Sequence, residues 1–271
     1  MKGILFLVLL LFGCGGILLS FLRARSRAVF AEDGFATPGR RALAVSLLGG
    51  VLLLTVALPF AAGFLVTDST DAGKGRLSFV SLFGVHAVLA LFLVVYYALS
   101  GRRSFGEFLR LSGGRPASDV GAGVLIGAGV WFLNLLLALL LVGLWSFVTG
   151  GPPGGAGASP PRISPMIVAL VREPATVRIA IVVSAMVVEE FFFRSFLQTR
   201  VGPLAATLMF TAAHAAYGQP LMLVWILVIS TVLSATLVLY RNVLPCIVAH
   251  GVFDAIQMFV VIPFVVKTLP L

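Results

Sequence analysis

A cluster of ionisable residues interrupts a long apolar run between Ile179 and Leu197. Glu189, Glu190 and Arg194 lie inside this run, where each charge costs several kcal/mol if the run is at membrane depth. Proteins keep such residues for chemistry or transport. On a helix, Glu190 and Arg194 are four residues apart and can pair, whereas Glu189 points about 100° away from Glu190. The spacing therefore leaves Glu189 free to act as a general acid or base.

Two later segments carry histidines at helical spacing. His214 follows Phe210 by four residues and Asp254 follows His250 by four, so each pair shares one face of a helix. Histidine in a membrane is expected to face a polar cavity. Together with Glu189, these side chains could hold and deprotonate a water molecule and stabilise an oxyanion. That combination predicts a hydrolase.

The composition points to a membrane protein. The chain has 271 residues, of which 60% are hydrophobic and 11% charged, whereas about 25% of a soluble domain is charged. Because a membrane helix needs about 20 apolar residues, we expect an all-α, polytopic transmembrane bundle of about eight helices. We assign the net charge of +9 to loops that set orientation, and not to nucleic-acid binding. The expected partner is the lipid bilayer, and the small, Ala/Gly/Val/Arg-rich chain favours a bacterial plasma (inner) membrane.

The candidate residues fall on three of the expected membrane spans. Glu189 falls on the fifth span, His214 on the sixth, and His250 with Asp254 on the eighth. Residues 1–173 are expected to form N-terminal membrane helices and loops, and residues 174–271 a catalytic helical core, within one structural domain. The eight spans lie at about 3–22, 42–66, 79–99, 120–149, 175–199, from 203 onward, 221–240 and 243–266.

Several polar or small residues are interpreted as structural. Gly123 and Gly127 open the fourth span at the four-residue spacing that lets two helices approach closely. His86 is alone in the third span without an acidic neighbour, and we interpret it as structural. Cys14 and Cys246 lie in separate apolar segments without CxxC spacing, so neither a thiol zinc site nor a redox pair is indicated.

The ordered motifs resemble those of a known family. They resemble the motif series of the CPBP family, the CAAX-protease and bacteriocin-processing intramembrane proteins, also called type II CAAX prenyl endopeptidase-like or Abi proteins. The similarity runs from about Pro174 to the C-terminus. The motifs are Glu189-Glu190-x-x-x-Arg194, Phe210-x-x-x-His214 and His250-x-x-x-Asp254, on successive spans.

The resemblance implies an intramembrane endopeptidase of the glutamate type. By motif position, Glu189 would activate the water with help from His214. Glu190 and Arg194 would stabilise the site. The substrate would be a membrane-associated protein or peptide.

The last motif departs from the most familiar pattern. The resemblance implies that His250 and Asp254 bind the tetrahedral oxyanion, but the CAAX-cleaving members have Asn at the position of Asp254. An Asn amide can donate a hydrogen bond to an oxyanion, whereas an ionised Asp cannot. Asp254 is therefore protonated, orients His250 or contacts a metal. The substitution also weakens the inference that the substrate is prenylated.

A metal and two other functions stay open at this point. Glu189, His214 and His250 form a chemically sensible zinc set, but no HExxH pair exists and each ligand comes from a different helix, so we favour a reaction without cofactor or metal. A proton-coupled transporter would also place Glu, His and Arg in spans, and would predict an internal repeat. A scaffold, immunity or regulatory member of the same family would act by binding alone.

Overall fold

The computed structural model describes residues 30, 33–65, 78–102, 104–111, 115–150, 165–217 and 219–268. The predicted first span, with Cys14, lies outside these residues. Every regular element in the described ranges is a helix, and no strand occurs among them. The prediction of an all-α protein is therefore confirmed.

Twelve α-helices follow one another along the described chain, joined in places by π-helical or 3₁₀ turns. They are α1 (Pro38–Leu52), α2 (Leu58–Leu65), α3 (Phe79–Leu99), α4 (Phe105–Phe108), α5 (Pro116–Thr149), α6 (Pro165–Arg172), α7 (Ala175–Glu189), α8 (Thr199–Val201), α9 (Pro203–Ala213), α10 (Pro220–Tyr240), α11 (Leu244–Ile256) and α12 (Ile262–Thr268). The π-helical segments are Leu53–Ala57, Glu190–Gln198 and Gln257–Val261, and the 3₁₀ turn is Ala215–Tyr217.

Five helical stretches are long and apolar enough to cross a membrane, judged by length and composition. They correspond to the predicted second, third, fourth, seventh and eighth spans. The expected count of about eight is not confirmed. The stretches are Pro38–Gly63, Leu82–Leu99, Pro116–Thr149, Met222–Tyr240 and Leu244–Thr268.

The two predicted spans around the carboxylates and His214 differ from ordinary membrane helices. The fifth is helical from Ala175 to Val201, but its ionisable residues exclude it from the apolar stretches. The predicted sixth span is too short a helix to cross the membrane. Helix α9 has 11 residues, which reach about 16 Å at about 1.5 Å per residue, half of the roughly 30 Å hydrocarbon core. His214 follows its last residue and therefore lies at the end of a half-length helix.

Aromatic packing joins α3 to the π-helical segment Glu190–Gln198. The Phe196 ring lies 4.6 Å from Tyr96 and 5.2 Å from Phe92, both in edge contact. Phe192 packs 5.7 Å from Phe92, and all four side chains are buried. Edge-to-face pairs add to the burial of apolar area. The contact fixes α3, which also carries His86, against the helix that carries the two glutamates.

A buried carboxylate locks the same two helices at their ends. Asp33 accepts hydrogen bonds from the Tyr96 hydroxyl at 2.7 Å, from Arg102 Nε at 3.1 Å and from Arg200 Nη2 at 2.6 Å. The Arg200 guanidinium also lies 3.9 Å over the Phe196 ring. Two cations and a hydroxyl offset the cost of burying one carboxylate. The segment before α1 is thereby tied to the ends of α3 and α8.

Two glycines of α5 allow the carboxy-terminal helix α11 to approach closely, as their spacing predicts. A Cβ added at Gly123 would lie 2.6 Å from the Cβ of Val248. A Cβ added at Gly127 would lie 2.5 Å from the carbonyl oxygen of Ala249. Because α11 carries His250 and Asp254, this packing sets their distance from the rest of the site.

We expect Gly127→Ala to lower the thermal midpoint of the purified protein in detergent, since the new methyl group meets backbone that must move, at a cost of about 1–3 kcal/mol. Gly129→Ala is the matched control, because a Cβ at that position meets nothing within 4 Å. It should leave the midpoint unchanged or raise it slightly, because alanine favours a helix by about 1 kcal/mol over glycine. Equal midpoints for the two variants would contradict the close packing.

Candidate active site

The two adjacent glutamates occupy different environments. Glu189 is the last residue of α7 and Glu190 the first of the π-helical segment. The Glu190 side chain is fully buried, whereas 11% of the Glu189 side chain is accessible. Glu190 is therefore enclosed by protein, whereas part of the Glu189 side chain stays accessible.

Glu190 belongs to a buried ion-pair cluster. Its Oε2 lies 3.3 Å from Arg194 Nε, the pairing that the four-residue spacing predicts. Arg194 Nη2 donates to Ser230 Oγ at 3.2 Å, and its guanidinium lies 4.7 Å from the centre of the Phe210 ring. The charge of Arg194 is thus offset by a carboxylate, a hydroxyl and an aromatic face.

His250 connects this cluster to Asp254. His250 Nδ1 lies 2.9 Å from Glu190 Oε1, and its Nε2 lies 3.3 Å from Asp254 Oδ2. An ionised carboxylate only accepts hydrogen bonds. With both carboxylates ionised, both ring nitrogens donate and the imidazole is positively charged. The cluster of Glu190, Arg194, His250 and Asp254 is then electrically neutral.

Glu189 approaches His214, which follows the last residue of α9. His214 Nδ1 lies 2.8 Å from the carbonyl oxygen of Phe210, which can only accept, so Nδ1 carries a proton. In the neutral ring Nε2 is therefore an acceptor, and it lies 3.9 Å from Glu189 Oε2. That buried oxygen has no hydrogen-bond partner among the described residues. The two atoms are too far apart to bond directly, yet they face the same space.

The other oxygen of Glu189 contacts His86 of α3. His86 Nε2 lies 3.1 Å from Glu189 Oε1. His86 Nδ1 lies 2.9 Å from the Oγ of Ser184, which precedes Glu189 on α7. The interpretation of His86 as structural depended on its own helix lacking an acidic residue. Its acidic neighbour is 103 residues away in sequence, so no local motif could reveal the contact.

Tyr217, in the 3₁₀ turn after His214, is a second residue that the motifs do not indicate. Its ring stacks on His214 with the centroids 5.9 Å apart. Burial, reinforced by the carboxylates of Glu189 and Asp254, raises the pKa of its hydroxyl. The hydroxyl therefore stays protonated and can donate a hydrogen bond beside the two carboxylates.

The predicted site residues thus lie in two connected groups. Glu189 and His214 form one, and Glu190 with Arg194, His250 and Asp254 forms the other. The Phe210 ring contacts both groups, with its centroid 4.6 Å from that of the His214 ring and 5.9 Å from that of the His250 ring. The catalytic roles assigned to these residues stay predictions.

Among the described residues, no group of three or more His, Cys, Asp or Glu side chains is arranged to hold a metal ion. The zinc set considered above fits this geometry poorly, because His250 directs both ring nitrogens at carboxylates and Glu189 directs its free oxygen at His214.

One comparison with known proteins matches the segment that contains the candidate site residues. Residues 172–256 match the family model described as type II CAAX prenyl endopeptidase Rce1-like. No curated protein and no solved structure matches the chain. The matched segment contains every predicted site residue and supports the assignment to the CPBP family of CAAX proteases. At family level the match supports a membrane protease of the CAAX type, and the five apolar stretches support a multi-pass membrane protein.

Replacement of Arg194 by Met should strongly destabilise the protein, because it removes one partner of a fully buried ion pair and leaves Glu190 with His250 alone, at a cost of about 3–5 kcal/mol. Thermal unfolding in detergent measures this as a fall of roughly 10 °C in the midpoint. Arg172→Met is the matched control, since Arg172 is exposed at the end of α6. A midpoint for Arg194→Met equal to that of Arg172→Met would contradict the ion-pair cluster.

Proposed function

We propose that this chain, assigned by its residues 172–256 to the CPBP family, is an intramembrane endopeptidase in which Glu189 activates the water that attacks a peptide bond. The substrate class is a membrane-associated protein or peptide. The proposed location is the bacterial plasma membrane.

One observation carries the proposal. Glu189 Oε2, a buried oxygen without a hydrogen-bond partner among the described residues, lies 3.9 Å from the acceptor Nε2 of His214. A water oxygen at about 2.8 Å from each acceptor can bridge that distance, with one hydrogen directed at each. The remaining lone pairs of the water then point away from both acceptors, toward an incoming carbonyl carbon. This is the arrangement that general-base hydrolysis requires.

The chemical step follows from these positions. The water oxygen forms a bond to the carbonyl carbon, while its proton moves to Glu189 Oε2. The carbonyl oxygen takes the electron pair of its π bond and becomes the oxyanion of a tetrahedral intermediate. When the carbon–nitrogen bond breaks, the proton held by Glu189 passes to the leaving nitrogen. Glu189 returns to its ionised state, so no other reactant is consumed.

Oxyanion stabilisation comes from the second group. Both ring nitrogens of His250 face carboxylates, so its contribution as arranged is the positive charge of the ring. Asp254 lies 3.3 Å from His250 Nε2 and orients the ring. Of the three roles considered for Asp254, this distance favours orientation of His250 over donation to the oxyanion or contact with a metal. Its side chain is 30% accessible. A substrate carbonyl oxygen that displaces Asp254 accepts a hydrogen bond from His250 Nε2–H, with the neutral Tyr217 hydroxyl as a further donor.

Comparison of the membrane proteome of cells with the wild-type protein and with Glu189→Gln tests this function. We expect at least one peptide product to disappear in Glu189→Gln, which keeps the size of the side chain but cannot take up a proton. The purified wild-type protein should then cleave that substrate. Glu107→Gln is the control, because Glu107 is exposed on α4.

Other outcomes separate the alternatives. Undiminished cleavage of the identified substrate by purified Glu189→Gln would contradict the mechanism. A cellular phenotype that survives both Glu189→Ala and Glu189→Gln would support a scaffold or regulatory role. Coupled proton transport in vesicles would support a transporter.

We also propose that the reaction needs no metal. The support is that His86 already contacts Glu189 Oε1 and His214 Nε2 lies 3.9 Å from Oε2, while Glu190 and Asp254 occupy both ring nitrogens of His250. Treatment of the purified protein with a zinc chelator should leave the cleavage rate unchanged. A loss of activity that added zinc restores would contradict this expectation.

A further inference from the structure

His86 contacts the proposed catalytic carboxylate from the N-terminal part of the chain, outside the segment that matches the family model. We propose that His86 is a positioning residue, held by Ser184, that fixes the carboxylate of Glu189 so that Oε2 is the oxygen that takes up the proton. The proposal rests on the function proposed above and assigns a role to one further side chain of that site.

The donor in the contact between His86 and Glu189 follows from hydrogen-bond chemistry. Glu189 must be ionised to act as a base, and an ionised carboxylate accepts hydrogen bonds only. His86 Nε2 lies 3.1 Å from Glu189 Oε1, a hydrogen-bonding distance. Nε2 of His86 therefore carries the proton and donates it, and Oε1 is engaged before any substrate arrives.

Ser184 is suited to hold the other side of the ring. Its hydroxyl lies 2.9 Å from His86 Nδ1 and 3.0 Å from the carbonyl oxygen of Ile181. When His86 is neutral, the hydroxyl donates to Nδ1. When His86 is charged, Nδ1 donates to the hydroxyl, which turns its own proton to Ile181. The ring thus keeps both contacts in either protonation state.

This anchoring has a consequence for the reacting oxygen. A carboxylate can turn about its last side-chain bond and exchange its two oxygens, because that torsion is broad and roughly two-fold. The bond from His86 removes this freedom by holding Oε1. Oε2 then faces His214 Nε2. A misplacement of about 1 Å in a reacting group can cost about a hundredfold in rate.

The other charged or basic side chains near Glu189 do not hold its Oε1. Arg194, the cation nearest in sequence, pairs with Glu190. His214 has its Nδ1 engaged by the Phe210 carbonyl and stands 3.9 Å away. The side chains of His86 and Glu189 are only 13% and 11% accessible, so solvent does not substitute easily for the contact.

Nuclear magnetic resonance of the purified wild-type protein tests the contact without any substrate. The chain has only three histidines, so ¹⁵N-histidine labelling gives a simple spectrum, and a His86→Gln sample assigns the His86 signals by their loss. We expect a proton on Nε2 of His86, with ring signals that shift in Glu189→Gln and in Ser184→Ala. Ser146→Ala is the control, since Ser146 lies on α5 and its hydroxyl donates to the Val142 carbonyl of its own helix.

Kinetics with the substrate identified by the proteome comparison test the role. His86→Phe should lower kcat by about 10- to 100-fold with KM nearly unchanged, because it removes the donor to Oε1 while substrate contacts stay. His86→Gln should recover most of this loss, since its amide nitrogen reaches about the position of Nε2 and donates. In His86→Phe, adding Ser184→Ala should cause little further loss, because Ser184 acts through the ring.

Specific results would overturn the proposal. An unprotonated Nε2 on His86, or His86 signals unchanged in Glu189→Gln, would remove its physical basis. A wild-type kcat in His86→Phe, or equal losses in His86→Phe and His86→Gln, would assign His86 to helix packing alone. Failure of the proposed function would give a different pattern. Glu189→Gln would still cleave the substrate, while the spectra would still show the contact between His86 and Glu189. If His86→Phe does not fold, the wild-type spectrum still tests the contact, and the kcat of His86→Gln still tests the role of the donor.

Discussion

Burial of two adjacent carboxylates in one helix is the constraint on which the structure depends. Glu189 and Glu190 follow one another, so they point in different directions and cannot share a single cation. Each must be offset by partners of its own, because an unpaired buried charge costs several kcal/mol. Glu190 receives Arg194 from its own helix and His250 from α11. Glu189 receives His86 from α3 and approaches His214 at the end of α9.

The rest of the fold can be understood as the means of bringing these partners together. Close packing at Gly123 and Gly127 seats α11 against α5, and α11 delivers His250. The aromatic contacts of Phe196 and the ion pairs of Asp33 hold α3 against the helix of the glutamates, and α3 delivers His86. The half-length helix α9 ends at the level of Glu189, so His214 faces it from a turn and not from a continuous span.

Much of this arrangement could be predicted from spacing within one helix. The i, i+4 pairs of Glu190 with Arg194 and of His250 with Asp254 both form, because that spacing places side chains on one face. What spacing could not predict is which helix faces which. The contact of His86 with Glu189 joins residues 103 positions apart, and nothing near His86 in sequence indicates it. The short length of α9 was also missed, since the apolar residues around His214 read as a continuous span.

Paired measurements on Glu189→Gln and Glu190→Gln test most directly the claim that the adjacent carboxylates have separate tasks. Thermal unfolding and cleavage of the identified substrate are recorded on both purified variants. Glu189→Gln should unfold close to the wild-type temperature and lose cleavage. Glu190→Gln should unfold at least several degrees lower, because Arg194 is left buried without its anion at a cost of about 3–5 kcal/mol. Strong destabilisation by Glu189→Gln with little by Glu190→Gln, or full cleavage by Glu189→Gln, would contradict the account.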